Sequence, residues 1–433
     1  MSVSVPIPGP ATVSDAHGTV AGMLPIDEAI NRGVDLCWPV SGQEKLQLLN
    51  AHHRVLFYAV KSRYALPLFD CSAVDGYALR LADLAGDGPW QLETAAGINA
   101  SEMSNTPLPP GTALAVGAGA ALPSGADTVL PQEAVTPHPG GITIHGRPEC
   151  GANIRLAGED VQQGTTLAEA GRLIDPRIAA VLSAAGQAQV VVRRRVLVAL
   201  FSIGSELRPL GRRPGPGQIW DANRSHLTAA LAKPWLEVMD LGTVPDTPQA
   251  ITTALERASY AADLVITSGS TGGGRPGMGD NMRIALEAVG AESQPVKLAL
   301  HRAKPLLLGR IGKAVHLGLP GNPVSSFITW HVIGARLAEA LAGLAPGTGL
   351  GAATGLRRIL VHAGFALDRH PGLAELLPAR LSGLDTTEIP IAETLPRTSG
   401  HRVHLLAEAE GLIHIRPDIA KIEPGDLVEF LPF

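Results

Sequence analysis

The chain has 433 residues, of which 45% are hydrophobic and 17% are charged. This composition supplies enough apolar side chains for several buried cores and excludes a wholly disordered protein. The net charge of −5 lacks the basic excess of a nucleic-acid groove, so we expect no nucleic-acid partner. The 3 cysteines are widely spaced, and no apolar run is long enough for a membrane span. We therefore expect a cytoplasmic protein without membrane contact.

The pattern of apolar residues changes along the chain, and each change predicts a domain boundary. Residues 1–22 are rich in Pro, Gly, Ser and Thr and are predicted to be a mobile leader. Apolar residues at helical spacing between Pro25 and Ala59 predict two helices. Short apolar runs bounded by Gly and Pro predict a β-rich domain over 61–157. Alternating strands after a glycine-rich linker, one of them at Val403 to Leu405, predict a small β-barrel or sandwich over 346–433.

Strands and helices alternate in the segment 191–345. Just before it, Asp175 and Pro176 predict a capped helix that ends at Gly186. Apolar runs at 196–201, 236–240 and 264–268 then predict strands, each followed by a helical pattern. This alternation is typical of βαβ units that build a parallel sheet, and such sheets bind ligands at the carboxyl ends of their strands. We expect the chemistry of the protein in this domain.

The first candidate loop follows the strand at 264–268 and contains Gly269, Ser270, Thr271 and Gly272. Glycines allow the backbone to approach a ligand, and the hydroxyl and N–H groups suit a phosphate. The loop is not a dinucleotide-binding motif. A simple strand-exit turn explains the same residues equally well.

The second candidate loop lies between a strand and a helix predicted to start near Val324. Its residues are Pro320, Gly321, Asn322, Pro323 and Ser325. The prolines stiffen the turn, and the helix N-terminus offers N–H donors to an anion. The alternative is a rigid turn in which Asn322 bonds to its own backbone.

Acidic residues in turns form a third group of candidates: Asp75, Asp160, Glu206, Asp246 and Asp280. Each acid on its own is more typical of a helix cap or a turn than of a catalyst. Glu206 and Asp246 follow predicted strands, where α/β sheets bind ligands. Carboxylates that converge on a phosphate repel it unless a divalent cation lies between them, so the acids predict a metal ion such as Mg²⁺.

The fourth candidate is the basic segment His301-Arg-Ala-Lys-Pro305. Lys304 is a point charge suited to an oxyanion, and a histidine such as His301 is the side chain that changes charge near neutral pH. An isolated segment of this kind is also typical of a solvated basic turn.

Read in order, seven segments resemble signatures of the molybdopterin molybdenumtransferase family, whose members include bacterial MoeA. The resemblance begins near Met23 and covers nearly all the chain after it. The segments are Phe69-Asp-Cys-Ser-Ala-Val-Asp-Gly-Tyr-Ala78, Gly125-Ala-Asp-Thr-Val129 with Gln132-Glu133, Asn153-Ile-Arg155 with Gly158-Glu-Asp160, Gly217-Gln-Ile-Trp-Asp-Ala-Asn-Arg224, Asp263-Leu-Val-Ile-Thr-Ser-Gly269, Lys304-Pro305 and Leu319-Pro-Gly-Asn-Pro-Val-Ser325.

The resemblance implies an α/β multidomain fold. Its parts would be a central three-layer molybdopterin-binding-like domain over 191–345, a β-rich inserted domain over 61–157 and a small C-terminal β-barrel over 346–433. A helical or extended dimerisation domain would combine 23–60 with 158–190.

The family's activity implies a homodimer that inserts molybdenum from molybdate into adenylylated molybdopterin and releases AMP with Mg²⁺ present. The cleft would lie between the α/β domain of one subunit and the β-rich domain of the other. The resemblance also implies transient contacts with the molybdopterin adenylyltransferase and with apo-molybdoenzymes.

The resemblance also assigns roles to the candidate residues. Asp75 and Asp160 would face the cleft from the partner subunit, and Glu206, Asp246 and Asp280 would come from the α/β domain. Asp280 and Glu206 are the predicted Mg²⁺ ligands. The pterin and its phosphates would use the two candidate loops. The molybdate pocket would contain His301, Lys304, Pro305, Ser325 and Ser399.

The chain departs from the family pattern at several positions. Ala118 stands where the family has Thr, and His301 stands where it has the first of two lysines. The segment around Glu206 lacks one hydroxyl and one acid, and residues 275–279 lengthen the link to Asp280. Neither Arg357 nor Arg358 is in register with the family's C-terminal arginine. These departures motivate an alternative function, a drifted paralogue that binds molybdopterin or the finished cofactor as a carrier or scaffold.

Overall fold

The computed structural model of the protein describes residues 22–98, 107–271, 280–345, 356–385, 387–395 and 402–433. Several sequence predictions lie outside these residues. They are the leader up to residue 21, Gly272, the lengthened link 275–279, residues 346–355 of the glycine-rich linker, and Ser399.

The first domain is built from two separate stretches of chain. It contains the helices Ile26–Val34 and Pro176–Ala184. The prediction of a second helix before Ala59 is wrong, because Gln43–Gln47 is a strand paired antiparallel with Gln189–Arg193. Side chains in that strand alternate between exposed and half-buried, so the pairing across the sheet overrides the helical spacing of its apolar residues. The strand Val60–Lys61 pairs in the same way with Thr166–Ala168.

The predicted cap of the helix Pro176–Ala184 is confirmed. The Asp175 carboxylate accepts a hydrogen bond from the Ile178 N–H at 2.9 Å. Gly186 follows the helix with φ of +70°, a left-handed conformation that glycine adopts without steric cost.

The inserted domain is β-rich, as predicted, and its described part contains a six-stranded sheet. Its core contains Leu79, Leu84, Ile142 and Ile144. In spatial order, the strands are Thr128–Pro131, Gly76–Leu79, Thr112–Val116, Trp90–Ile98, Gly141–Ile144 and Val135–His138. The short pair Cys71–Ser72 and Ile154–Arg155 joins the two ends of this segment.

The central domain contains a six-stranded mixed sheet. In spatial order, its strands are Leu236–Val244, Val196–Ile203, Leu264–Ser268, Ala314–Leu319, Leu306–Ile311 and Glu292–Val296. The first four are parallel, as predicted. Leu306–Ile311 runs antiparallel to both of its neighbours, which the sequence reasoning did not predict.

Helices cover both faces of this sheet and give it three layers. Leu200 and Phe201 are adjacent in one strand and pack into different hydrophobic cores, because successive strand side chains point to opposite faces. The helices of the domain are Ala222–Ala230, Pro248–Ala261, Asn281–Ala288, Pro323–Thr329 and Ala335–Leu341, with a π-helical segment at Trp330–Gly334. A small parallel pair, Leu207–Arg208 with Ile219–Trp220, projects beside the sheet.

The C-terminal domain is a closed five-stranded barrel, which confirms the barrel prediction. Its strands are Ile359–Ala363, Pro390–Thr394, Glu375–Leu384, Gly411–Ile415 and Leu427–Pro432. A further pair, Leu367–Asp368 with Lys421–Ile422, lies beside them. The predicted strand at Val403 is wrong, because Val403–Ala407 forms a 3₁₀ helix.

Candidate active site

The four parallel strands of the central sheet end at one edge, and all the candidate loops of the central domain except the basic segment begin there. The loop after Ile203 is joined to the loop after Val244, because the Gly204 N–H donates to the Val244 carbonyl at 3.1 Å. The two glycine and proline loops are joined by the Gly269 N–H, which donates to the Leu319 carbonyl at 3.0 Å. The fold therefore brings these loops together as the sequence predicted.

Gly269 makes the tightest turn of this edge. Its φ is +93°, and a Cβ at this position would lie 2.5 Å from the Ile203 carbonyl oxygen. Both facts require glycine, so the strand cannot leave the sheet in this way with another residue. Ser270 follows with φ of +54°, and the Thr271 side chain is buried. The first candidate loop is consequently a strained turn that packs against the neighbouring strand end.

The second candidate loop contains the helix cap that the rigid-turn interpretation predicts. The Asn322 Oδ1 accepts a hydrogen bond from the Ser325 N–H at 3.0 Å. Pro323 has no N–H, so this turn offers an anion fewer backbone donors than the sequence suggested. The Ser325 side chain, by contrast, lines the cavity described below.

Three of the predicted acids come from neighbouring loops of the central domain. The Asp246 N–H donates to the hydroxyl of Ser205, which precedes Glu206, at 3.1 Å. The Asn281 side chain, next to Asp280, donates to the Asp246 carbonyl at 2.9 Å. A chain of hydrogen bonds thus joins the backbone segments that carry Glu206, Asp246 and Asp280.

Asp280 also caps its own helix, because its carboxylate accepts from the Arg283 N–H at 3.1 Å. Within the described ranges, no group of three or more His, Cys, Asp or Glu side chains is close enough to hold a metal ion. Mg²⁺ usually keeps several waters and binds through one or two carboxylates together with substrate phosphates. The donor set of Glu206, Asp246 and Asp280 fits that kind of binding.

Asp75 and Asp160 lie in the inserted domain and its junction with the first domain. The Asp75 Oδ1 accepts from the Ala118 N–H at 2.8 Å, so the backbone of Ala118 orients this acid without the missing hydroxyl. Asp160 is exposed, and its N–H donates to the Leu66 carbonyl at 3.0 Å. Among the hydrogen bonds and ion pairs of the described residues, none joins either acid to the loops of the central sheet.

A cavity of about 760 Å³ lies between the central domain and the barrel. Two predicted molybdate-pocket residues, His301 and Ser325, line it. Lys304 and Pro305 are not among its lining residues, so the structure separates them from His301 at this cavity. The other basic side chains of the wall are Arg302, Arg369, His370 and Arg402.

The arginines of this region differ in how far they are engaged. Arg369 donates to the carbonyls of Ile419 and Leu373 at 2.8 and 2.6 Å and stabilises the barrel. Arg358 forms an ion pair with Asp27 at 2.9 Å, so it has a structural role outside the pocket. Arg402 is exposed, and its guanidinium has no partner within the described part of the chain.

Sequence reasoning missed Arg402, although it lies three positions after the predicted Ser399. It also missed Asn223, although the segment Gly217 to Arg224 that contains it was one of the family signatures. No local pattern distinguishes these residues, because their positions depend on contacts with distant parts of the chain.

Family models match the chain in three consecutive parts. Residues 24–186 match the MoeA N-terminal region (domain I and II), residues 199–339 a probable molybdopterin binding domain, and residues 361–433 the MoeA C-terminal region (domain IV). A molybdopterin molybdenumtransferase of Haemophilus influenzae is 35% identical over 322 residues, which cover 74% of this chain and 78% of the relative.

The chain belongs to the molybdopterin molybdenumtransferase family. Another relative, molybdopterin molybdenumtransferase 1 of Mycobacterium tuberculosis, is 29% identical over 401 residues and covers 84% of this chain and 88% of its own. The crystal structure of a molybdopterin biosynthesis moeA protein from Pyrococcus horikoshii OT3 has the same fold, with a TM-score of 0.79 at 22% identity and coverage of 95% and 100%. Every helix in the described ranges is too short or too polar to cross a lipid bilayer.

Proposed function

We propose that this protein is a transferase that inserts molybdenum from molybdate into adenylylated molybdopterin and releases AMP. The observation that carries the proposal is the convergence of the candidate loops at the carboxyl edge of the central sheet, next to a cavity with basic walls. The names of the relatives support the same activity for a chain that matches them along most of its length. The activity would serve the biosynthesis of the molybdenum cofactor.

The two substrates need different chemistry, and different parts of the site offer it. In our proposal the pterin and its phosphates lie along the backbone of the turn at Gly269 and of the loop at Gly321, because glycine lets a backbone come close to a ligand. Molybdate is a doubly charged oxyanion and is stabilised by cations and hydroxyl donors. In our proposal His301, Ser325 and Arg402 bind it in the cavity.

The acids of the edge would act on the phosphoanhydride of the substrate. Glu206 and Asp280 would hold Mg²⁺, which neutralises phosphate charge and polarises the bond to AMP when bound. Asp246 would fix the two acids relative to one another through its contacts with Ser205 and Asn281. Removing the metal with a chelator is expected to stop AMP release and to leave the protein folded.

We also propose that the protein is a homodimer whose cleft is shared between subunits. Large apolar side chains are exposed next to Asp160, namely Tyr64, Leu68, Phe69 and Leu156. A second exposed apolar group, Leu210, Ile219 and Trp220, lies on the projection beside the central sheet and is accompanied by basic residues. Burying one group against the other in a second copy would bring Asp75 and Asp160 of the partner subunit to the central edge.

The setting of the reaction follows from the substrates. We propose a cytoplasmic location, where the free thiols of Cys37, Cys71 and Cys150 remain reduced. The molybdopterin adenylyltransferase would supply the substrate by transient contact, and apo-molybdoenzymes would receive the product.

The test is a turnover assay with purified protein, adenylylated molybdopterin, Mg²⁺ and molybdate. AMP release and reconstitution of a molybdenum-dependent apo-enzyme are measured together, with molybdate omitted as the control. The proposal predicts that both signals require molybdate. Tight binding of the pterin without AMP release would contradict it and would support the carrier function suggested by Ala118 and His301.

A further inference from the structure

Asn223 occupies a position that no candidate role has so far explained. It is the second residue of the helix Ala222–Ala230, which begins after the Asp221 cap. Its side chain is only 6% exposed, although amides are usually found at protein surfaces. A buried amide is costly unless its hydrogen-bonding groups are used. The Asn223 Oδ1 has no hydrogen-bond partner within the described residues, so the contacts of the amide nitrogen indicate why the side chain is there.

The Asn223 amide nitrogen contacts both candidate loops. It donates to the Ser268 hydroxyl at 2.6 Å, just before Gly269, and to the Gly321 carbonyl at 3.0 Å. The Pro320 carbonyl lies at 3.4 Å from the same nitrogen. Two of these acceptors are backbone carbonyls, so the nitrogen rather than the oxygen of the amide must face them.

The side chain therefore bridges two loops that leave adjacent parallel strands. The pairing of these strands ends at Ser268 and Leu319, and the Gly269 N–H then donates to the Leu319 carbonyl. At the closest approach of the loops, a Cβ on Gly321 would lie 3.6 Å from the Gly269 Cα. Glycines at both points leave the loops without side chains that could interlock. Beyond the end of the strand pairing, the Asn223 amide therefore adds a side-chain tie between the two loops.

A neighbouring residue reinforces the bridge from the same helix. The His226 Nε2 lies 3.1 Å from the Ser326 hydroxyl, one turn beyond the Gly321 loop. Burial lowers the pKa of His226 to about 4, so the imidazole is neutral at physiological pH and the contact does not depend on its charge. One face of the helix thus contacts the second loop at two places.

We propose that Asn223 is a positioning residue that sets the distance between the Gly269 loop and the Gly321 loop, an inference that rests on the proposed function. In that function both loops contact the pterin and its phosphates, the second loop also carries Ser325 at the molybdate cavity, and the reaction requires the two substrates to meet. A misplacement of about 1 Å between reacting groups can cost about 100-fold in rate. Loss of the bridge is therefore expected to reduce turnover more than the binding of either substrate alone.

The test uses Asn223→Asp, which keeps the shape of the side chain and replaces the N–H donors by oxygens that repel the two carbonyls. Asn31→Asp, in the exposed part of the helix Ile26–Val34, is the matched control. Molybdate binding, binding of adenylylated molybdopterin and kcat at saturation are measured for each protein. We expect kcat to fall by about tenfold or more in Asn223→Asp. Both dissociation constants should stay within about threefold of the wild type, and Asn31→Asp should match the wild type.

Two results overturn the inference. In one, Asn223→Asp keeps its kcat. In the other, kcat and both affinities fall together with the melting temperature, which would indicate a merely structural role. Ser268→Ala provides a second variant if Asn223→Asp does not fold, and it should show a smaller loss of kcat with unchanged affinities. An inactive wild type would refute the proposed function instead, so the two failures are distinguishable.

Discussion

The central sheet edge and the inserted domain differ in how their acids are held. At the central edge, hydrogen bonds connect the segments of Glu206, Asp246 and Asp280 to one another. In the inserted domain, Asp75 is oriented by the neighbouring Ala118 backbone, and Asp160 is exposed at the domain junction. The first group is connected within the central domain, whereas the contacts of the second lie within the inserted domain and its junction.

This difference indicates which part of the proposed site each of the two domains would supply. In the proposed function, the central edge binds and orients the substrates, because hydrogen bonds hold its loops together. The acids of the inserted domain contribute only if a second surface is brought against them. A shared cleft in a homodimer would supply that surface, and the variants below test the two halves separately.

The largest effect is expected when the charge of Asp280 is removed. Asp280→Asn keeps the helix cap, since Asn caps helices as well as Asp, and removes a proposed ligand of Mg²⁺. We expect kcat for AMP release to fall about 100-fold or more, which corresponds to about 2.7 kcal/mol. Asp175→Asn is the matched control, because Asp175 also caps a helix but belongs to the first domain. Full activity of Asp280→Asn would refute the role of this acid.

The next prediction compares two glycines, one in the central domain and one in the inserted domain. In Gly269→Ala the new Cβ would lie 2.5 Å from the Ile203 carbonyl oxygen, and φ is unfavourable. We expect a loss of about 1–3 kcal/mol of stability and a loss of substrate binding. In Gly76→Ala the Cβ would lie 2.0 Å from the Leu130 carbonyl oxygen, so the inserted sheet should be destabilised instead.

Thermal melting and pterin binding distinguish these two outcomes. Gly290→Ala is a control with positive φ and open space around its Cβ. Normal pterin binding by a folded Gly269→Ala would contradict the assignment of this loop.

A smaller effect is expected at the cavity between the central domain and the barrel. Arg402→Ala removes from its wall a guanidinium that has no partner within the described ranges, and a charge-assisted hydrogen bond contributes about 1.5–3 kcal/mol. We expect the KM for molybdate to rise about tenfold, with the melting temperature unchanged. Arg369→Ala should lower the melting temperature and leave the KM for molybdate unchanged, because Arg369 donates to barrel carbonyls. An equal rise of the KM for molybdate in both variants would contradict the specific role of Arg402.

The smallest effect concerns acid stability. Burial lowers the pKa of His226, His316 and His331 in the central domain to about 4. Below about pH 6.5 the unfolded chain binds protons that these folded imidazoles do not, so stability falls as the pH decreases towards 4. The histidines His138 and His145 of the inserted domain are exposed. Amide hydrogen exchange at pH 5 should therefore increase first in the central strands, and a uniform increase in both domains would contradict this expectation.

Local signals in the sequence predicted much of the central domain. The helix capped by Asp175 begins where its pattern predicted, and the helices Pro248–Ala261 and Asn281–Ala288 follow the predicted strands. The strand at 264–268 and its glycine loop were also predicted, because a continuous apolar run followed by glycine is a strong signal. The position of Glu206 and Asp246 at one edge followed from the parallel arrangement of the strands.

Features that depend on distant contacts were not predicted. The strand Gln43–Gln47 looked helical because its partner, Gln189–Arg193, lies more than a hundred residues away. The roles of Arg369 and Arg402 could not be separated by sequence, since Arg369 reaches barrel carbonyls only in the folded structure. The Asn223 bridge requires three segments that meet only in the folded sheet.

The most direct test of the divided site is subunit complementation between its two halves. Asp75→Asn and Asp280→Asn are each purified as inactive proteins, unfolded together, and refolded as a mixture. If one subunit supplies Asp75 and the other supplies Asp280, random pairing restores one intact cleft in each mixed dimer, or about a quarter of the wild-type activity. AMP release near that level is the result our account predicts. A mixture as inactive as its components would contradict the shared cleft.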